Sequence, residues 1–68
     1  MTDISVKFGN RLKVVRLKKG MSQAALAKIL GVHKSYISGA ERGIRNMTLK
    51  NIERLANALG ISINDLLK

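Results

Sequence analysis

The sequence predicts an all-α fold, a compact bundle of five short helices, and two observations predict it. Glycine followed by an aliphatic residue recurs at Gly20-Met21, Gly31-Val32, Gly43-Ile44 and Gly60-Ile61, each time closing a segment whose apolar residues are spaced three and four apart. A glycine there takes the left-handed conformation that ends a helix, and the aliphatic residue after it folds back onto the last turn. Conversely, no stretch alternates apolar and polar residues with period two over a useful length, so no sheet is expected.

The elements follow in order. A first helix is predicted from about Val6 to Lys19, burying Phe8, Leu12 and Val15, with Ile4 covering its start and Lys7, Arg11, Lys13, Lys18 and Lys19 on its other faces. Ser22 is a good N-cap for a second helix, Gln23 to Leu30, in which Leu26, Ala27 and Leu30 share one side. A third helix, Lys34 to Arg42, turns Ile37 and Ala40 inward with Glu41 beside them. Thr48 caps a fourth, Leu49 to Leu59, whose Leu49, Ile52, Leu55, Ala56 and Leu59 form one stripe. Ser62 with Asp65 resembles a capping box opening a fifth, Ile63 to Leu67. With 68 residues and neither a linker nor an internal repeat, residues 1–68 are expected to form a single domain with one small core.

Composition narrows the function. Thirteen Lys and Arg against four Asp and Glu give a net charge of +9, more than solubility alone calls for on so short a chain. Such an excess draws a protein to polyanions: DNA, RNA or an anionic membrane surface. The first helix could pass for a membrane-surface helix, but its apolar stripe is no wider than a core requires and the chain has no Trp anchor. Nothing approaches the roughly 18 apolar residues of a membrane span. The N-terminal MTDISVKFGN lacks the charged and apolar regions of a secretory signal, so a cytoplasmic protein is expected. The chain has no Cys and one His, which argues against a metal site, and no cofactor is expected. The four acids and His33 are scattered over different segments without a nucleophile–base pair, so the chain does not read as an enzyme.

Residues Ser22 to Glu41, SQAALAKILGVHKSYISGAE, carry the sharpest signal. Two short helices are joined across Gly31, the chain from Gly31 to Lys34 sufficing to turn into the second, with small side chains where the helices must nearly touch. That is the sequence shape of a helix-turn-helix, whose second helix lies in a DNA major groove; a helical hairpin in any small bundle is the plainer alternative. On the third helix Lys34, Ser35, Ser38 and Arg42 lie opposite Ile37 and Ala40. Lys34 and Ser35 fall in the first turn, which reaches base edges in this motif, so Lys34, Ser35 and Ser38 are the candidates for base contact.

Gln23, Ala27, Gly31, Val32, Ile37 and Glu41 together resemble the Cro/C1-type helix-turn-helix family, also called the XRE family, and the likeness extends over nearly the whole chain. The resemblance implies a lambda-repressor-like fold and a double-stranded DNA partner. Within the family, HKSYISGAERGIRNMTLKNIERL is most similar to the controller proteins of restriction–modification systems, small dimeric regulators. By that resemblance Gln23 sits beside a phosphate, Tyr36 approaches the DNA backbone or a thymine methyl, and Arg45 and Asn46 form a phosphate-contacting pair. Arg42 joins the positioning contacts; Tyr36 could instead be partly buried against the second helix. His33 stands where relatives often cap the third helix with Ser or Thr, and is either a weaker cap or a phosphate donor. Gly39 departs from relatives that place a long polar side chain there, which implies sparse base readout supplemented by DNA shape. Arg16 and Glu41 match the family's ion pair, and Glu41 follows the inward residues of its helix.

Two expectations concern partners. Ile61, Ile63, Leu66 and Leu67 fall within seven residues at the end of the chain, and with Leu59 they are expected to form a two-fold dimer interface. The alternative is that the fifth helix folds back to complete its own core. Family activators commonly show acidic residues on the second helix to RNA polymerase, whereas QAALAKIL has none. Repression is therefore the expected mode, and activation would need another surface, such as one that includes Glu53. The expected function is a dimeric regulator binding a palindromic operator of a restriction–modification operon; the rival is a prophage repressor or antitoxin whose main partner is another protein.

Overall fold

A computed structural model describes residues 3–67. Its elements are α1 (Ile4–Lys18), α2 (Gln23–Leu30), α3 (Lys34–Glu41), α4 (Leu49–Leu59) and α5 (Ile63–Leu67). Helix α1 begins earlier than the apolar spacing suggests because Asp3 caps it, its carboxylate accepting from the Ser5 amide at 2.7 Å. Ser22 and Thr48 cap α2 and α4 in the same way, with bonds of 3.0 and 3.1 Å to the amides of Ala25 and Asn51. His33 occupies the N-cap position of α3 without a side-chain bond, which removes the capping half of its expected role.

Gly20, Gly31, Gly43 and Gly60 all have positive φ. At Gly31 the two bonds of a Schellman ending are present: Gly31 donates to the Lys28 carbonyl and Val32 to the Ala27 carbonyl, at 3.2 and 3.0 Å. That reversal starts the short connection to α3, which then crosses α2 and packs on α1.

Leu12, Leu26, Ile37, Leu55 and Leu66 form the fully buried centre, one from each helix. Leu66 and Leu59, expected at a subunit interface, are therefore core residues of this chain, because α5 folds back against α1 and α4. Arg11 helps to fix that arrangement: its Nε donates to the Asp65 carbonyl at 2.7 Å, so it is half-buried rather than an outward cation. Of the other expected interface residues, Ile61 packs partly on the core while Ile63 and Leu67 remain 36% and 47% exposed. Ile4 does not cover the start of α1; it is 71% exposed.

Helix α1 approaches α3 closely at Gly9. A methyl group there would fall 2.3 Å from the Ala40 carbonyl oxygen and 2.7 Å from that of Glu41, both backbone atoms that cannot rotate away. Replacing Gly9 by Ala gains about 1 kcal/mol in helix propensity, but overpacking a well-filled contact costs about 1–3 kcal/mol and more where backbone must move. The clash wins. Gly9→Ala is expected to lower the melting temperature by about 5–15 °C; a melt at or above wild type would contradict the close crossing.

Candidate nucleic-acid interface

The end of α3 is tied down by charge. Arg16 forks onto Glu41, Nε to Oε2 at 2.5 Å and Nη2 to Oε1 at 3.1 Å, while its Nη1 donates to the Met21 carbonyl at 2.7 Å. Gln23 completes the group, its Nε2 donating to Glu41 Oε1 at 3.0 Å. The two charged side chains are only 8% and 3% exposed. One carboxylate thus fixes α1, the α1–α2 turn and the start of α2 against the end of α3. Burial alone would push the Glu41 carboxyl up, but bonds from Arg16 and Gln23 and the nearby charges of Arg16 and Lys13 outweigh it and hold it below the ordinary value. The Arg16 guanidinium is pushed up, mainly by its bond to Glu41.

With the inner face anchored, the outer face of α3 is left to solvent. Lys34 and Ser35 are exposed in its first turn, Ser38 is half-buried one turn on, and Arg42 is exposed at its end. The Arg42 Nε lies 3.4 Å from the Ser38 carbonyl. His33 is exposed beside the first turn. Gln23 does not stand clear of the protein as its expected phosphate contact implies, since one amide hydrogen is committed to Glu41.

The loop after α3 brings Arg45 and Asn46 to the same end of the molecule. The Arg45 guanidinium sits over the Tyr36 ring, 5.3 Å from its centroid. Asn46 accepts from the Ser5 hydroxyl at 2.5 Å, so the loop is fastened to the first turn of α1. Gly39 turns out to face this loop: a Cβ there would meet the Arg45 Cβ at 3.4 Å and the Ile44 side chain at 3.8 Å. A Cβ at this position would make ordinary contact with the loop, so Gly39 lies against Arg45 and Ile44. Tyr36 is half-buried as its alternative reading held, but its hydroxyl bonds Asn51 of α4 at 2.9 Å rather than α2.

Asn51 and Arg54 were not legible as part of this surface. Arg54 donates to Asn51 Oδ1 at 3.2 Å and to the Leu30 carbonyl at 2.6 Å. On α4 they lie outside the apolar stripe and read as ordinary solvated residues; no local pattern signals bonds to α2 and α3. Among the described residues no group of His, Cys, Asp or Glu is placed to hold a metal ion, and no helix is long and apolar enough to cross a membrane.

A second helix laid across its partner, with Lys34, Ser35 and Arg42 exposed on its outer side and an arginine-bearing loop after it, is the arrangement of a DNA-binding regulator of the helix-turn-helix class. Comparison with known proteins agrees: the helix-turn-helix family model matches residues 12–66, and the chain belongs to that family. The control protein C.BamHI of Bacillus amyloliquefaciens is 46% identical over 66 residues, covering 96% of this chain and 82% of the relative. The crystal structure of the restriction–modification controller protein C.AhdI from Aeromonas hydrophila superposes with a TM-score of 0.87 at 50% identity, covering 91% of this chain and 94% of that one. The biofilm regulator SinR, solved in complex with DNA, superposes with a TM-score of 0.82 at 37% identity, over 90% of this chain and 98% of that one.

Removing one member of the Arg16–Glu41 pair strands the other charge, so Glu41→Gln or Arg16→Met is expected to cost about 3–5 kcal/mol. An Arg16→Met/Glu41→Leu double variant should lose far less than the sum of the single losses. Because folding lowers the Glu41 value, its contribution is complete above the ordinary glutamate value of 4.5 and is lost as pH falls through the lower folded value. Thermal melts of wild type and Glu41→Gln should therefore converge as the pH drops below about 4.5; a gap constant from pH 7 (about neutral) downward would contradict the linkage.

Proposed function

We propose that this chain binds an inverted-repeat DNA operator as a homodimer and thereby controls transcription of a restriction–modification operon, acting on DNA in the cytoplasm as a single domain. The observation that carries the proposal is the solvent-facing side of α3, where Lys34 and Ser35 are exposed in the first turn and Ser38 is half-buried one turn on, with Arg42 exposed at the helix end and Arg45 over the Tyr36 ring. Lys34 donates to guanine O6 or N7, and Ser35 and Ser38 bond either kind of base edge. Arg42, Arg45, Asn46, Tyr36, His33 and the second amide hydrogen of Gln23 supply backbone contacts, which fix register without reading sequence. The likeness to C.BamHI and C.AhdI supports the operon; SinR in its DNA complex supports the mode of docking.

For dimerisation the surface reduces to Ile63 and Leu67, since Leu59 and Leu66 are spent on the core. Leu67 also lines an open groove of about 220 Å³ with Ile4, Phe8, Met47 and Ile52, whose apolar part offers a second copy a seat beside Ser5, Arg45 and Asn46, which line the same groove. Two-fold pairing there would set the recognition helices about 34 Å apart, one turn of DNA.

Titration of a labelled inverted-repeat duplex by fluorescence anisotropy should give a log–log salt slope of roughly −5 to −9, from about 6–10 phosphate contacts per dimer. A slope near zero, or equal affinity for single-stranded RNA, would reject the reading. Lys34→Ala and Ser35→Ala should relax sequence preference at about 1–3 kcal/mol each, whereas Arg45→Ala should weaken cognate and random duplexes alike. Sedimentation of the wild type at micromolar concentration should show a dimer that Ile63→Asp and Leu67→Asp dissociate. A wild-type monomer would end the dimer proposal.

A further inference from the structure

Resting on the DNA-binding reading, we propose that Arg54 and Asn51 of α4 are positioning residues that turn the Tyr36 hydroxyl into a hydrogen-bond donor aimed at DNA. The inference comes from the polarity of a chain of bonds. Arg54 can only donate, and it does so twice: to the Leu30 carbonyl at 2.6 Å and to Asn51 Oδ1 at 3.2 Å. The Leu30 carbonyl belongs to the last turn of α2, where carbonyls lack helical partners and a cation is favoured by the helix dipole.

The orientation of the Asn51 amide follows. Its oxygen must face Arg54, so its NH2 faces Tyr36, 2.9 Å from the hydroxyl oxygen. Tyr36 is thereby the acceptor of that bond, and its own proton is left for another acceptor. Phosphate oxygens and the major-groove acceptors of bases are what DNA offers. The reversed polarity would consume the proton inside the protein and turn lone pairs towards the phosphates. Arg54 therefore sets the sign of the hydrogen bond that Tyr36 can make, without touching DNA itself.

The same bonds hold the ring that carries Arg45, whose guanidinium lies 5.3 Å from the ring centroid. Ordering a long side chain before binding removes that entropic cost from the binding step. Helix α4 thus reaches the interface through two of its polar residues, from a side that the apolar stripe leaves free.

Tyr36 is the chain's one tyrosine and there is no tryptophan, so the tyrosine absorption and emission bands report on this hydroxyl alone. The test uses the full chain and a labelled mixed-sequence duplex of about two helical turns. Asn51→Leu keeps a good helix former on α4 and removes both bonds; Tyr36→Phe removes only the hydroxyl. Each should weaken the duplex about fivefold, and the double variant also by about fivefold, because the effect passes through one hydroxyl. Asn51→Asp, whose carboxylate can only accept, should shift the free protein's tyrosine absorption to the red as the phenol becomes a donor within the protein.

If the wild type fails to bind duplex, the DNA reading falls and this proposal with it. If the wild type binds but Asn51→Leu is within twofold of it (about 0.4 kcal/mol), the positioning role alone is overturned. Losses that multiply to about 25-fold in the double variant would show a general weakening of α4 and overturn it as well. An unchanged absorption band in Asn51→Asp would show that the bond is absent in solution.

Discussion

A carboxylate at the C-terminal end of a helix, out of water, is unfavourable twice over: the helix dipole repels it and desolvation penalises its charge. Glu41 is in that position, and the rest of the structure depends on how it is satisfied. Arg16 meets it with a two-pronged fork and Gln23 adds a third donor, while the remaining arm of Arg16 holds the α1–α2 turn. Apolar contacts among Leu12, Leu26 and Ile37 supply much of the cohesion, but such contacts are non-directional and tolerate small slides. The fork does not, because planar bidentate bonding fixes both distance and angle. The orientation of the recognition helix relative to α1 and α2 is set by that pair.

The outer surface has a matching logic. A net charge of +9 attracts any polyanion, and attraction alone carries no address. In the proposed function, address comes from where rigid elements place a few side chains. Lys34 and Ser35 are held by the first turn of a helix whose far end is anchored, and Arg45 rests on an aromatic ring rather than on a loose loop. The loop itself is fastened at both sides. Gly39 faces Arg45 and Ile44, and Ser5 holds Asn46 from α1. Connection and recognition helix therefore behave as one surface, which limits the entropy lost on binding.

Membership of the helix-turn-helix family, shown over residues 12–66, gives this arrangement its context. The structural likeness to C.AhdI and to DNA-bound SinR is close enough that the same two helices occupy the same places. On that frame this chain carries the bonds that link Arg54, Asn51 and Tyr36, and leaves Ile63 and Leu67 outside near the end of the fold.

Much of the fold was legible because it is local. Ser22, Thr48 and the four positive-φ glycines act within one turn of their own helix, so capping chemistry and apolar spacing placed α2, α4 and α5 to the residue. The inward face of α3 and the Arg16–Glu41 pair were legible in periodicity and in the family resemblance. Tertiary structure alone decided which apolar face is covered and by what. Leu66 went inside because α5 returns to α1 and α4, Ile4 stayed outside, and Gly9 became a point of close approach. It also decided the partners of Arg11, Asn46, Asn51 and Arg54, which bond residues 54, 41, 15 and 24 positions away. Helical period reports only whether a side chain points in or out along its own segment. A hydrogen bond between segments depends on how the segments are laid against each other, and that exists only once the chain has folded.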